Sequence, residues 1–149
     1  MNNPIIALLG NPNVGKTSLF NRITKLNQKV GNYPGITVEK REGQVKANNK
    51  TYRIIDLPGT YTLFPSSMDE EVVFNTLVDK KSSFRPNLVV VVAEPTNLKR
   101  SIILYQQARE LGLPAIFVIN MIDEAKEKGI TIDIQKLEHL LNTKVYETN

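Results

Sequence analysis

The sequence predicts an α/β fold, with a mostly parallel sheet of six strands, one antiparallel edge strand, and helices on both faces. The main observation is the order of the elements: a strand, a helix and two strands are followed by helix–strand repeats. Such alternation is typical of a parallel sheet covered by helices. Residues 87–93 also form a continuous apolar, β-branched run, as expected of a strand buried on both faces. The chain has 149 residues, 41% of them hydrophobic, which is enough for the core of one domain.

Short apolar runs bounded by turn residues predict the strands. In chain order they cover residues 4–10, 38–45, 50–57, 87–93, 114–121 and 144–148. The second and third runs flank the turn sequence KANN, which favours a hairpin and supplies the antiparallel edge. Residues 29–37 have the glycine and proline density of a loop.

Four segments have the periodicity of amphipathic helices. They cover residues 16–26, 66–81, 96–112 and 132–141. In the first of them, Leu19, Phe20 and Ile23 share one face. The second begins with a capping box, in which Ser67 is the cap and Glu70 follows three residues later.

Composition excludes several classes of protein. The absence of cysteine excludes disulfides and thiolate zinc sites. The net charge of +4 comes from dispersed lysines and arginines, which favours a solvated basic surface over a nucleic-acid footprint. The first apolar run, residues 5–9, is too short for a signal peptide or a membrane span, and no other run approaches span length. We therefore expect this chain by itself to be soluble.

A glycine-rich loop, GNPNVGKT, follows the first strand at residues 10–17. The spacing G-x-x-x-x-G-K-T is typical of loops that bind nucleotide phosphates, because glycines let backbone N–H groups converge on an anion. The helix that follows adds its positive N-terminal end. Lys16 can reach the outer phosphates, and the Thr17 hydroxyl can bind Mg²⁺. The strand before the loop and the helix after it favour this function over a purely structural turn.

Two further motifs follow strand ends. In IIDLPGTY, Asp56 can hold Mg²⁺ through a water and the Gly59 N–H can contact a γ-phosphate, although these are also ordinary turn residues. In VINMID, the Asp123 carboxylate can accept hydrogen bonds from guanine, and Asn120 can tie the base edge to the phosphate loop. The alternative for Asp123 is a helix N-cap. Ligands of parallel sheets bind beyond the carboxyl ends of the strands, so the three motifs together predict a guanine-nucleotide site.

Together these motifs resemble those of a translation-factor-class GTPase, which implies the P-loop GTPase fold. The segments GNPNVGKTSLFN, NYPGITVEK, DLPGTY and TNLKRS more closely resemble the cytosolic G domain of FeoB-type ferrous iron transporters. The resemblance covers essentially the whole chain. It implies slow, Mg²⁺-dependent hydrolysis of GTP to GDP and phosphate, stimulated by K⁺. It also implies switch loops that couple the nucleotide state to iron uptake.

The resemblance implies a role for each residue that matches the family's motifs. The residues implied in catalysis are Lys16, Thr37, Gly59 and Asn13. Mg²⁺ would be held by Thr17, Thr37 and Asp56, and K⁺ by Asn13. Nucleotide contacts are implied for Gly10, Asn11, Pro12, Asn13, Val14, Gly15, Lys16, Thr17, Ser18, Gly35, Ile36, Thr37, Asp56, Gly59, Asn120, Met121, Asp123, Thr148 and Asn149.

Two positions depart from the pattern of many GTPases. Met121 stands where many carry a lysine over the base, and because methionine brings no charge-assisted hydrogen bond, we expect fast release of GDP. Thr60 stands where Ras-like enzymes use a glutamine to orient water. No side chain obviously replaces that glutamine, so we expect slow basal hydrolysis, assisted by K⁺ near Asn13.

Members of this family continue into a helical domain and a membrane permease. We expect residues 1–149 to be a single G domain, cut within the last guanine-binding loop, with both other domains absent. In the intact protein those domains would be its partners, at the cytoplasmic face of the inner membrane. The missing final helix would expose apolar sheet surface, which leaves homo-oligomer formation open. We expect no nucleic-acid partner.

Two other functions stay open on the motifs alone. A ribosome- or RNA-associated assembly GTPase would share them, although the dispersed basic residues give it no support. A nucleotide sensor without hydrolysis would explain the missing water-orienting side chain. Tyr33 either stacks near the nucleotide or orders a switch loop. His139 has no partner ligands nearby in the sequence and is expected at the surface rather than as a metal ligand. The acidic run at residues 69–73 could bind iron through its carboxylates, although the dipole of its helix explains it more simply.

Overall fold

The computed structural model describes residues 3–25 and 27–149. One sheet holds all the strands of these residues, and its spatial order is β2-β3-β4-β1-β5-β6-β7. The strands are β1 (Ile5–Gly10), β2 (Gln28–Asn32), β3 (Glu39–Ala47), β4 (Lys50–Asp56), β5 (Leu88–Ala93), β6 (Ala115–Ile119) and β7 (Val145–Glu147).

The predicted fold class is confirmed by the directions of these strands. From β4 to β7 every neighbouring pair is parallel, and β3 is antiparallel to both β2 and β4. The predicted hairpin joins β3 to β4 through Asn48 and Asn49, which both have positive φ angles, of 51° and 63°. Two successive residues of this conformation match the twist of a tight hairpin.

The sheet has seven strands and not the predicted six. The additional strand is β2, which lies partly within residues 29–37, a segment that was predicted to be a loop. It is an edge strand in which four of the five residues are exposed, so it has no alternation of apolar and polar residues to reveal it. Because β3 pairs with β2 as well as with β4, the antiparallel strand is β3, which lies one position inside the edge, and not at the edge as predicted.

Helices cover both faces of the sheet, as predicted. They are α1 (Lys16–Thr24), α2 (Met68–Val78), α3 (Leu98–Glu110), α4 (Ile122–Glu127) and α5 (Ile134–Leu141), with a 3₁₀ turn at Pro95–Asn97. The predicted cap of α2 is confirmed, because Ser67 Oγ accepts a hydrogen bond of 3.2 Å from the Glu70 N–H. Helix α1 ends at Thr24, before Lys25 in the left-handed conformation, and the predicted end at Leu26 lies outside the described residues.

Helix α4 was not predicted. With six residues it is too short to show a helical period. It follows Met121, whose φ of 59° turns the chain directly from the end of β6 into the helix. Asp123 therefore lies in the first turn and not at the N-cap.

The core consists of two unequal clusters on opposite faces of the sheet. The larger cluster packs α2, α3 and α5 against the sheet and includes the fully buried Leu9, Val91 and Phe117. The smaller one is centred on Phe20 of α1 and Leu8. On this second face an apolar groove of about 400 Å³ remains. No helix among the described residues is both long and apolar enough to cross a membrane.

Candidate functional site

The predicted phosphate loop, residues 10–17, lies against a cleft of about 490 Å³ at the carboxyl end of β1. Its lining comes from the phosphate loop, the start of α1 and two residues of other segments: Asn11, Pro12, Asn13, Gly15, Lys16, Thr17, Ser18, Gly59 and Asp69. Of the remaining predicted phosphate-loop residues, Val14 is fully buried in this loop and Gly10 ends the strand.

Both glycines of the motif are required by their surroundings. A Cβ atom at Gly10 would lie 2.8 Å from the Val92 carbonyl oxygen. At Gly15 it would lie 2.4 Å from Asn120 Nδ2, and the φ of 79° is one that side chains disfavour. The loop is thus packed directly against β5 and the base loop, residues 120–123.

Lys16, Thr17 and Asp56 meet at the floor of the cleft. Lys16 Nζ donates hydrogen bonds to Asp56 Oδ1 and to the Leu57 carbonyl oxygen. Thr17 Oγ1 donates to Asp56 Oδ2 at 2.8 Å. Lys16 is only 7% exposed and Asp56 only 5%, so each buried charge is neutralised by the other. The pairing follows from the register, in which Asp56 at the end of β4 lies beside Leu8 of β1.

Gly59 closes one side of the cleft against the phosphate loop. A Cβ atom here would lie 3.0 Å from Pro12 Cα, so any other residue would require the phosphate loop to move back slightly. The next residue, Thr60, donates its N–H to the Gly10 carbonyl oxygen at 2.9 Å. Its side chain is 2% exposed and bonds the Thr62 carbonyl oxygen at 2.7 Å, so it does not face the cleft.

The predicted first switch segment, residues 34–37, is not brought to the cleft in this conformation. Among the described residues that line it, none belongs to the segment Gly35, Ile36 and Thr37. Gly35 and Thr37 are exposed. The segment continues into Val38, which lines a smaller cleft of about 180 Å³ next to Lys16, Thr17 and Asp56. Of the three predicted Mg²⁺ residues, Thr17 and Asp56 are therefore together and Thr37 is apart.

Asn120 links the predicted base loop to the phosphate loop. Its Nδ2 donates to the Val14 carbonyl oxygen at 3.0 Å, and its backbone N–H donates to the Ala93 carbonyl oxygen at 2.8 Å. The side chain is 5% exposed. Met121 packs next to it, with its Cε 3.3 Å from the position that a Gly15 Cβ would occupy.

Two residues after β7 complete this region. Thr148 accepts a hydrogen bond of 3.2 Å from the Ile122 N–H, and Asn149 Oδ1 accepts one of 3.0 Å from the Asp123 N–H. The Asp123 carboxylate itself is exposed. The structure therefore places both predicted guanine-contacting loops side by side at the carboxyl ends of β6 and β7.

Sequence reasoning missed one residue that lines the cleft and one that supports its lining. Asp69 lines the cleft, although the acidic run at residues 69–73 was attributed to the helix dipole in preference to iron binding. Ser101 of α3 is fully buried and accepts a hydrogen bond of 3.4 Å from Asn11 Nδ2. No sequence signal marks Ser101, because it lies 90 residues away from its partner.

Tyr33 orders the first switch segment from within the protein. It is 6% exposed and packs with Val38 and Val72 in a small apolar cluster. Burial, and then the negative charge of Asp56, raise the pKa of its hydroxyl to about 12. Of the two functions considered for Tyr33, this position favours the ordering of the loop over stacking on a base.

Comparison with known proteins identifies close relatives. The family described as "Ferrous iron transport protein B" matches residues 4–149. A fusion of Fe(2+) transport protein A with the Fe(2+) transporter FeoB from Porphyromonas gingivalis is 43% identical over 143 residues, which are 96% of this chain and 17% of that protein. The Fe(2+) transporter FeoB of Staphylococcus aureus is 45% identical over 139 residues, or 93% of this chain and 20% of that protein. The chain thus spans only about a fifth of the length of these relatives.

Solved structures show the same similarity. The cytosolic domain of the T. maritima FeoB iron transporter in a GDP form superposes with a TM-score of 0.91 at 41% identity, covering 99% of this chain and 56% of that one. The GMPPNP form of the same domain gives a TM-score of 0.90 at 41% identity and covers 97% of this chain and 56% of that one. The separate T. maritima G domain gives a TM-score of 0.89 at 40% identity and covers 99% of this chain and 87% of that one.

Proposed function

The chain belongs to the ferrous iron transport protein B family, whose cytosolic G domain it matches, and we propose that it binds GTP and hydrolyses it slowly to GDP and phosphate. The observation that supports this best is the convergence of three sequence motifs at one edge of the sheet. Thr17 Oγ1 lies 2.8 Å from Asp56 Oδ2, and Asn120 Nδ2 lies 3.0 Å from the Val14 carbonyl oxygen. An RNA-associated assembly GTPase is not favoured by the family match.

Phosphoryl transfer needs positioning and electrostatic stabilisation more than it needs covalent chemistry. The buried Lys16 ammonium would move from Asp56 and the Leu57 carbonyl oxygen to the outer phosphates, which are stronger acceptors. The N–H groups of the phosphate loop and the N-terminus of α1 would hold the inner phosphates. The Gly59 N–H and Thr37 would contact the γ-phosphate side, and hydrolysis would release both loops.

Oxygen donors suited to Mg²⁺ are present at the floor of the cleft. Magnesium prefers oxygen ligands and binds through a few protein groups together with substrate phosphates. Thr17 and Asp56 fit that pattern, and no group of three or more His, Cys, Asp or Glu among residues 3–25 and 27–149 forms another metal site. Thr37 would join them only after its segment moves. When bound, Mg²⁺ would neutralise part of the charge that develops on the phosphates.

A potassium ion is the proposed substitute for the water-orienting glutamine. Thr60 is buried and bonded to its own loop, so it does not supply that function. Asn13 is exposed, lines the cleft and has a positive φ of 67°. The Asn13 amide oxygen would hold K⁺, which adds positive charge where the transition state becomes more negative.

Guanine would be read by the two loops at the carboxyl ends of β6 and β7. The exposed Asp123 carboxylate would accept hydrogen bonds from the N1–H and amine of the base. Asn120 would hold the base loop against the phosphate loop, and Met121 would cover the ring. Backbone groups of Thr148 and Asn149 would contact the guanine oxygen, because their hydrogen bonds place them beside Asp123.

In the full-length protein we propose that this G domain lies at the cytoplasmic face of the cell membrane. Its partners there would be a helical domain and a membrane permease, which carries the iron pathway. The apolar groove on the α1 face of the sheet leaves room for a further segment or a second copy. Ordering and release of the loops at Thr37 and Gly59 would couple the nucleotide state to iron uptake.

The experiment that tests this function is GTP hydrolysis at fixed ionic strength, first in KCl and then in NaCl. We expect K⁺ to raise the turnover number by at least about tenfold, because a positive group fixed beside the charge of the transition state is worth about 100-fold or more in such sites. Asn13→Ala should lose the stimulation. Asn13→Gly is the matched control for the positive φ, since it removes the same amide without backbone strain, and it should lose the stimulation equally.

Equal rates in the two salts would contradict the K⁺ site but leave the GTPase in place. Tight GTP binding without turnover in either salt would favour the nucleotide sensor instead. Binding of ATP as tightly as GTP would contradict the proposed functions of Asn120 and Asp123.

A further inference from the structure

The segment that follows Gly59 is held at two points before α2 begins. The first is Thr60, whose N–H donates to the Gly10 carbonyl oxygen at 2.9 Å. The second is Leu63, whose side chain is 4% exposed within the larger core cluster. Beyond Leu63 the chain is exposed again, with Phe64 at 73%. Gly59 therefore stands at the head of a short loop that is fixed at both ends.

The second point is fixed by a side chain from a different element. Gln107 of α3 accepts a hydrogen bond of 2.8 Å from the Leu63 N–H through its Oε1. Its Nε2 donates to Thr62 Oγ1 at 3.2 Å. One amide thus binds two neighbouring residues that are 44 and 45 positions away in sequence.

Helix α3 is a rigid base for this contact. Leu104 and Ala108, on either side of Gln107, are 0% exposed in the core. A side chain on such a helix has a fixed origin, so its amide constrains the loop and is not carried along by it. The neighbouring Gln106 is exposed.

We propose that Gln107 is a positioning residue for the γ-phosphate response, holding the loop at residues 59–63 so that the Gly59 N–H faces the cleft before GTP binds. This inference rests on the proposed function, in which Gly59 contacts the γ-phosphate. It makes α3, which lines neither cleft at the phosphate loop, part of the switching apparatus. We call the two hydrogen bonds of Gln107 to Thr62 and Leu63 the clamp. Without it, part of the binding free energy of GTP would be used to order the loop at residues 59–63, and GTP would bind more weakly.

The test compares three variants by affinity for GDP and for GMPPNP, by GTP turnover, and by amide hydrogen exchange at Leu63. Gln107→Met keeps the size of the side chain and removes both hydrogen bonds. Gln107→Glu keeps the acceptor for the Leu63 N–H, and the Thr62 hydroxyl can turn to donate to its carboxylate. Gln106→Met is the matched control on the same helix.

For Gln107→Met we expect faster exchange at Leu63 and a loss of about three- to tenfold in GMPPNP affinity and turnover number, the value of one such hydrogen bond. GDP affinity should stay within about twofold, because GDP has no γ-phosphate to contact Gly59. Gln107→Glu should restore the wild-type behaviour, and Gln106→Met should not depart from it.

Equal losses for both nucleotides would overturn the proposal, because a merely structural contact does not distinguish them. An unchanged rate of amide hydrogen exchange at Leu63 in Gln107→Met would show that Gln107 does not hold the loop. If the wild-type protein bound neither nucleotide, the proposed function would fail together with the role of Gln107, whereas the two preceding outcomes leave the proposed function standing.

Discussion

The phosphate loop and the first switch segment carry equally clear sequence motifs but are held in opposite ways. In the phosphate loop, Val14 is fully buried and its carbonyl oxygen is bonded to Asn120. In the switch segment at residues 34–37, Gly35 has no atom within 4 Å of where its Cβ would be. The backbone there is held by an Ile36 N–H bond of 3.3 Å to the Tyr33 carbonyl oxygen. The loop that is predicted to hold a phosphate tail is thus built in advance, whereas the segment that carries Thr37 has few contacts to keep it from moving.

The sharpest way to test this comparison is to substitute one glycine in each region. Gly15 and Gly35 have similar φ angles, of 79° and 75°, so alanine brings similar backbone strain to both. The added Cβ atom at Gly15 would also lie 2.4 Å from Asn120 Nδ2, whereas at Gly35 it would have no neighbour within 4 Å. We expect Gly15→Ala to lower GDP affinity by about 100-fold or more, and Gly35→Ala by about threefold or less.

Titration calorimetry with GDP measures both effects, and circular dichroism confirms that each variant is folded. Similar losses in the two variants would show that strain alone matters and that the packing of the phosphate loop does not.

A second test concerns the free segment itself. If residues 34–37 close over the γ-phosphate, Thr37→Ala should lower GTP turnover by about ten- to 100-fold and leave GDP affinity unchanged, because its hydroxyl is used only with GTP bound. Thr37→Ser keeps the hydroxyl and should retain most of the activity. GTP turnover assays and calorimetric GDP titrations of both variants measure these two effects. Weakened GDP binding in Thr37→Ala would mean that the segment also belongs to the preformed part of the site.

The same difference explains what could be read from the sequence. The positions of Lys16, Asp56 and Asn120 follow from strand order, because the carboxyl ends of neighbouring parallel strands meet at one edge. The clamp by Gln107 could not be predicted, since it depends on how α3 packs against a loop more than 40 residues earlier. Strand β2 escaped prediction because its exposed edge has no apolar pattern.

The position of Thr37 in the structure could not be predicted from the sequence either. The motif around Thr37 predicts which ligand the residue would bind, but it does not predict the conformation of a loop that makes so few contacts. Motifs therefore predicted the preformed part of the site better than the part that moves.

Tyr33 directly precedes the first switch segment, and its hydroxyl offers the third and smallest test. The phenol is buried, and no well-aligned hydrogen bond to it is found within residues 3–25 and 27–149, although the nearby Thr76 side chain acts against the rise in its pKa. The pKa of its hydroxyl is raised to about 12 in the folded protein, against 10.0 for an ordinary tyrosine. Between these values the unfolded chain loses the proton and the folded one keeps it, so stability is complete below pH 10 and falls as the pH rises towards 12.

Tyr33→Phe removes this titration. We expect the free energy of unfolding of the wild type to fall by about 2 kcal/mol more than that of the variant between pH 9.5 and pH 12, following the two-unit shift. At pH 7 the stability of the variant should lie within about 1 kcal/mol of that of the wild type, because at most one poorly aligned hydrogen bond of the hydroxyl is lost. Urea denaturation at each pH measures both, and the variant cancels the titration of the lysines, which both proteins share. Parallel pH profiles would show that Tyr33 is open to solvent, and the switch segment would then be free from its first residue onward.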